Sequence, residues 1–126
     1  MSEPTTNLLK KLDFKEGESV YVEYTPDWYS EFARQSGFIL THNLPSIHAH
    51  LFFRSREELS DFLGRTEVKD IKKSMWVSWP KKSGQLQSDL SENHLRSAIQ
   101  SRGWVDIKVA AIDDNWSGLR FVRRKS

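Results

Sequence analysis

Cysteine is absent from the 126 residues, which removes disulfides, thiolate nucleophiles and Cys-ligated zinc or iron–sulfur sites together. Glycine is scarce, with six in the chain and none between Gly17 and Gly37. A dinucleotide or adenosyl cofactor needs glycine just after the first strand, so that backbone can approach the ligand. The stretch at that place is Tyr24-Thr25-Pro26-Asp27-Trp28, bulky and lacking the Pro26 amide. Where a ribose-binding carboxylate would follow the second strand, there is Thr41-His42-Asn43. Long apolar runs are missing too: nothing approaches the ~20 residues of a membrane span, and the N-terminus has no signal-peptide core. These absences predict a soluble, cytoplasmic chain without a conventional nucleotide cofactor.

What is present is a globular composition: 37% hydrophobic, 12% aromatic and 29% charged, with five tryptophans. The length suits one α/β domain over residues 1–126, with the polar residues 1–6 frayed. The formal charge of +2 conceals an asymmetry. Residues 1–70 carry 8 Lys and Arg against 12 Asp and Glu, net -4, while residues 71–126 carry 11 against 5, net +6. The basic half contains Lys72-Lys73, Lys81-Lys82 and the tail Arg120, Arg123, Arg124, Lys125. Such a distribution suits a solvated surface or an anion-binding face better than a nucleic-acid binder.

Periodicity predicts alternating strands and helices. Asn7 to Leu12 reads as a short amphipathic turn, and Ser19 to Tyr24 as a first strand. Thr25-Pro26 then reads as cap and first residue of a helix ending at Gly37. Phe38 to Thr41 is a short strand, and His48 to Phe53 is apolar enough to be covered on both faces. Ser55 and Glu58 form a capping box for a helix with core residues Leu59, Phe62 and Leu63, ended by Gly64. Val68 and Ile71 suggest one more helical turn before a strand at Ser74 to Trp79, stopped by Pro80. Ser91 caps the next helix, with Leu90 and Leu95 as its hydrophobic staple and Gly103 at its end. Val105–Ile112 and Leu119–Val122 flank a polar turn and read as an antiparallel hairpin. The expected fold is a compact three-layer, Rossmann-like α/β domain, its sheet mostly parallel with a C-terminal antiparallel hairpin.

In such sheets ligands sit beyond the carboxyl ends of the strands, here Tyr24-Thr25, Arg54-Ser55, Trp79 to Lys82 and Asp113 to Trp116. Recognised catalytic patterns are missing. Lys81-Lys82-Ser83-Gly84 lacks the leading glycine and spacing of a P-loop, and there is no Gly-x-Ser-x-Gly elbow. His48 and His50 share a strand face with His42 nearby in sequence, but without a defined third ligand they read as structural rather than metal-binding. His94 reads as a first-turn residue and Asp113-Asp114 as turn formers.

Met75-Trp76-Val77-Ser78-Trp79-Pro80-Lys81-Lys82, Asp89-Leu90-Ser91, Val105-Asp106 through Asp113, and Trp116-Ser117-Gly118-Leu119-Arg120-Phe121-Val122-Arg123-Arg124 resemble a bacterial family of uncharacterised proteins, domain of unknown function 3052. The resemblance runs from about Leu51 to Lys125. It is weaker from Leu8 to Gly37, where the family tends to have a glycine-containing turn. It implies a small Rossmann-like domain similar to a trimmed methyltransferase fold, and no established activity. The family-like stretches and the strand-end rule indicate the same ligand-binding rim: Trp79, Lys81, Lys82, Trp116 and Arg120. The resulting expectation is a non-catalytic binding or regulatory domain taking an anionic small molecule or an acidic protein surface. A divergent methyltransferase-like enzyme using adenosylmethionine, and a weak nucleic-acid binder, are the alternatives. No cofactor, metal or membrane partner is expected.

Overall fold

The computed structural model describes residues 3–124; Met1, Ser2 and Lys125 of the basic tail lie outside the described residues. The chain begins with α1 (Leu8–Leu12), which buries Leu8 and Leu12. Thr5 is held rather than frayed: its amide donates to the Ile112 carbonyl at 2.9 Å and its hydroxyl to that of Ala111 at 3.0 Å. Strand β1 (Ser19–Glu23) follows, buried at Val20, Tyr21 and Val22.

The chain leaves β1 through Tyr24, whose φ of 58° is left-handed, a conformation that costs a residue with a side chain roughly 1–2 kcal/mol. Thr25-Pro26 does not start the helix. Residues 26–29 form a separate turn, with the Tyr29 amide donating to the Pro26 carbonyl at 3.0 Å, and α2 runs Tyr29–Ser36 up to Gly37. Strand β2 (Ile39–Thr41) is short, and β3 (Ser46–Phe52) is buried along nearly its whole length.

Helix α3 (Arg56–Arg65) opens as its capping box requires: the Glu58 amide donates to Ser55 Oγ at 3.1 Å. Glu58 reaches back one residue further than expected, accepting from the Arg54 amide at 2.6 Å. Gly64 lies inside this helix, which continues one residue beyond it. After a 3₁₀ turn at Val68–Asp70, β4 (Ile71–Pro80) is longer than its apolar run, and Pro80 closes it instead of standing outside. A proline is tolerated there because a strand end need not donate. Helix α4 (Glu92–Gln100) is capped by Ser91 Oγ, which accepts from the His94 amide, and ends three residues before Gly103. The hairpin consists of β5 (Trp104–Ala111) and β6 (Trp116–Arg123).

These strands make one six-stranded sheet in the order β2-β1-β3-β4-β6-β5. The first four are mutually parallel, and β6 is antiparallel to both neighbours. One apolar cluster joins α3 and α4 to the sheet through Leu59, Phe62, Leu95, Ile99 and Trp79. The other covers the opposite face with α1 and α2, through Leu12, Tyr29, Trp76, Ile112 and Trp116. The result is a three-layer Rossmann-like α/β fold. Among the described residues, no helix is long and apolar enough to cross a membrane.

Candidate functional site

Strand order reverses between β1 and β3, and the crevice beyond their carboxyl ends is where open α/β sheets usually hold a ligand. Here it is a cavity of about 360 Å³ lined by Thr25, Pro26, Asp27, Trp28, Arg54, Asp113, Asn115 and Trp116. Part of its polar lining is held from inside, while Thr25 and Asp27 have no side-chain hydrogen bond and neither Asp27 nor Arg54 has an ion-pair partner among the described residues. The Asp113 side chain accepts from the Trp28 indole at 2.8 Å and from the amides of Asn115 and Trp116 at 2.8 and 2.9 Å. The Arg54 guanidinium lies over the Trp116 ring, 5.2 Å from its centroid. An adenosyl or dinucleotide cofactor does not fit this lining. The left-handed position after β1 is held by Tyr24 and not by the glycine that close backbone approach needs, and its ring packs on Phe53 outside the cavity lining. The Trp28–Asp113 bond then draws an indole over the same turn, and β2 ends in Thr41-His42 without a carboxylate for a ribose.

A second, larger cavity of about 670 Å³ opens past the end of β4 and the beginning of β6, against the start of α4. Trp79, Pro80, Lys81, Lys82 and Ser83 form one side; Leu90, Ser91, Glu92 and Asn93 form another, and Ser117 completes it. The lysine loop is braced by the β5–β6 turn. The Lys81 amide donates to the Asn115 carbonyl at 2.9 Å, and the Gln85 amide to Asn115 Oδ1 at 3.0 Å. Gly84 fits closely there: a Cβ would stand 3.0 Å from Asn115 Cα, so a larger residue would make the turn give way. Among the described residues, neither Lys81 nor Lys82 has an ion-pair partner. Glu92, the one carboxylate in the wall, is paired with Arg96.

Of the five residues that sequence reasoning grouped, Trp79, Lys81 and Lys82 meet in this pocket, and Trp116 and Arg120 do not join them. Register is the reason. Trp79 pairs with Ser117 and Pro80 with Trp116, so the two tryptophans project from opposite faces, Trp79 among the α3–α4 cluster and Trp116 among the α1–α2 cluster. Arg120 pairs with Trp76, four residues and about 13 Å below the rim at strand rise. Its guanidinium lies 3.6 Å from Asp13, and its buried Nε has no partner among the described residues. Ser91, Asn93, Ser117 and Asn115 were missed as site residues. Ser91 stood out as a helix cap, Ser117 within a family-like stretch and Asn115 among the strand-end residues, but none of them was singled out for the site.

The histidines on β3 share a face, as their spacing requires, and both are buried. His48 Nδ1 is 2.6 Å from Ser74 Oγ and Nε2 is 2.8 Å from Glu18. His50 bridges the Tyr29 hydroxyl at 2.6 Å and Ser78 Oγ at 3.1 Å. Burial lowers the His48 pKa against the opposing pull of Glu18, and it lowers His50 to about 3. For Glu18, burial works upward but is outweighed by the Lys15 amide, His48 and Lys73, leaving its pKa at about 2. The Ser74–His48–Glu18 row has the members of a nucleophile relay, yet Ser74 is fully buried and reaches no substrate. With all four ring nitrogens engaged, neither imidazole offers a lone pair to a metal. Among the described residues, no group of three or more His, Cys, Asp or Glu is arranged to hold one.

Solved structures share this fold at low sequence identity. A protein of the NADB-Rossmann superfamily from Streptococcus agalactiae superposes with a TM-score of 0.60 at 8% identity, covering 100% of this chain and 72% of that one. A protein from Sulfolobus solfataricus, proposed to be a type 11 methyltransferase, gives 0.52 at 13% identity, covering 95% and 91%. A proposed RNA methyltransferase from Pyrococcus horikoshii gives 0.54 at 11% identity, covering 94% and 80%. The fold is thus Rossmann-like and similar to that of methyltransferases, a likeness of fold and not of activity. No protein-family model matches the chain, and no curated protein matches it.

Proposed function

We propose that this chain is a non-catalytic binding domain that takes a small anionic molecule in the β4–α4 pocket. The observation that carries the reading is the pair Lys81 and Lys82, without ion-pair partners among the described residues, on the wall of a concave cavity of 670 Å³. Ligand sites are typically concave and of this size, whereas an acidic protein surface needs a broad, flat patch. Membership of the domain of unknown function 3052 family is proposed alongside. Three of the stretches that carry that resemblance meet here, through Trp79–Lys82, Ser91 and Ser117.

Amide chemical-shift titration with inorganic phosphate tests the site. Shifts are expected at residues 81–83, 91–93 and 117, and Lys81→Glu with Lys82→Glu removes them while leaving the thermal midpoint nearly unchanged. A large drop in that midpoint shows instead that the lysines are structural. Adenosylmethionine shifting Tyr24, Thr25 and His42 favours the methyltransferase-like alternative. Binding of a short oligonucleotide that weakens steeply with salt favours the nucleic-acid alternative.

A further inference from the structure

We propose that the ligand of the β4–α4 pocket belongs to the sugar-phosphate class, a hydroxylated carbon chain or ring bearing one phosphate ester; this rests on the anion-binding reading above. The lining decides between ligands that share a phosphate. A nucleotide wants an exposed aromatic face or apolar slot for its base. The apolar members of this wall are Trp79, Pro80 and Leu90; all are buried, Trp79 and Leu90 at only 8% and 5% exposed as part of the core beneath it. Nothing on this wall offers a stacking surface.

The rest of the wall is hydroxyl, carboxamide and carboxylate. The Ser83 and Ser117 hydroxyls have no hydrogen-bond partner among the described residues. Ser91 uses its oxygen as acceptor for the His94 amide, so its hydroxyl proton is free to donate. Asn93 accepts from Arg96 through its oxygen at 2.9 Å, leaving the amide protons free. Glu92, although paired with Arg96, keeps lone pairs that can accept from hydroxyls. Alternating donors and acceptors of this kind match a row of ligand hydroxyls. Glu92 also repels a second phosphate, which separates a monophosphate from a polyphosphate. Lys81 and Lys82 would meet the ester phosphate as point charges. A cavity of 670 Å³ leaves room for a carbon skeleton beside that phosphate.

Amide-detected titrations with ribose 5-phosphate, inorganic phosphate, AMP and ribose on the wild-type chain test the class. Ribose 5-phosphate is expected to bind at least tenfold tighter than inorganic phosphate and than AMP, with ribose alone weakest. Ser117→Ala removes one hydroxyl and is expected to weaken ribose 5-phosphate several-fold while leaving inorganic phosphate unaffected. Asn93→Ala provides the same comparison from the opposite wall. If inorganic phosphate or AMP binds as tightly as ribose 5-phosphate, the sugar-phosphate assignment is overturned and the anion site stands. Absence of Lys81-dependent shifts with every one of these probes overturns both.

Discussion

On the α1–α2 face of the sheet, the polar groups apart from Arg120 Nε largely satisfy one another: Tyr29 with His50 and Ser78, Glu18 with His48 and Ser74, Asp113 with Trp28 and two backbone amides. On the α3–α4 face the core is almost wholly apolar, and the polar groups stand at the rim, where two lysines have no carboxylate partner among the described residues. Both faces come from one sheet and each has a crevice at its carboxyl edge. The difference is one of degree: among the described residues, Asp113 at the first crevice is held by three internal donors although Arg54 and Asp27 have no ion-pair partner, and nothing holds either lysine side chain at the second. A crevice whose donors and acceptors are already matched contributes to stability, since stranding any of them leaves an unpaired buried group. One whose charges are unmatched contributes little to folding and remains available to a ligand.

The largest expected effect that separates the faces is pH dependence. The pKa of His50 is about 3 folded and 6.5 unfolded, so the unfolded chain binds the extra proton over that window. Stability is therefore complete above pH 6.5 and lost as pH falls toward 3, on the order of 5 kcal/mol across the whole interval. His48, shifted downward as well, adds in the same sense, and Glu18 contributes a further loss between about pH 4.5 and 2. Denaturant titrations of wild type and His50→Asn at pH 7, 6 and 5 check this. The variant's stability should change less with pH, and an unaltered slope would place the dependence elsewhere.

Next in size is Asp113→Ala, which strands the Trp28 indole and two amides and should cost about 3 kcal/mol. Ribose 5-phosphate affinity should fall less than stability does, since Asp113 touches the lysine loop only through its hold on the Asn115 amide. A protein as stable as wild type in calorimetry would mean that water replaces the carboxylate and that the crevice is not internally matched. The smallest effect on folding is expected from Gly84→Ala. Its methyl group crowds the lysine loop against Asn115, costing about 1 kcal/mol of stability but well over tenfold in phosphate-ester affinity, more than about 1.4 kcal/mol, the reverse of Asp113→Ala. Equal losses in both quantities would erase the contrast between the faces.

Local chemistry in the sequence told a good deal. Ser55 and Glu58 mark the start of α3, Ser91 with Leu90 and Leu95 the start of α4, and near-continuous burial marks β3, because each signal lies within a few residues. The errors arose from longer reach. Tyr24 adopts a left-handed turn and Trp28 is drawn to Asp113, 85 residues away, so α2 starts at Tyr29 although Thr25-Pro26 looks like a helix start. Gly64 lies inside α3 because helix ends are set by the onward path of the chain as much as by residue type. For the site, Trp79, Lys81 and Lys82 are contiguous and stayed together. Trp116 and Arg120 were grouped with them without knowledge of the β4–β6 register, and that register sends Trp116 to the other face and Arg120 down the strand.

The tethering of the N-terminal arm bears on the order of events during synthesis. Leu8 and Leu12 belong to the same apolar cluster as Ile112 and Trp116, and Thr5 bonds to Ala111 and Ile112. A ribosome makes residue 8 at least five seconds before residue 112, at its usual speed of about 5–20 residues per second. For that interval the leucines of α1 have no complete surface to cover them. Contacts of such long sequence separation also slow the final collapse. Helix α1 is therefore completed by a hairpin synthesised well after it, and a chain stalled before residue 112 exposes a short apolar segment ready to associate with other unfinished copies.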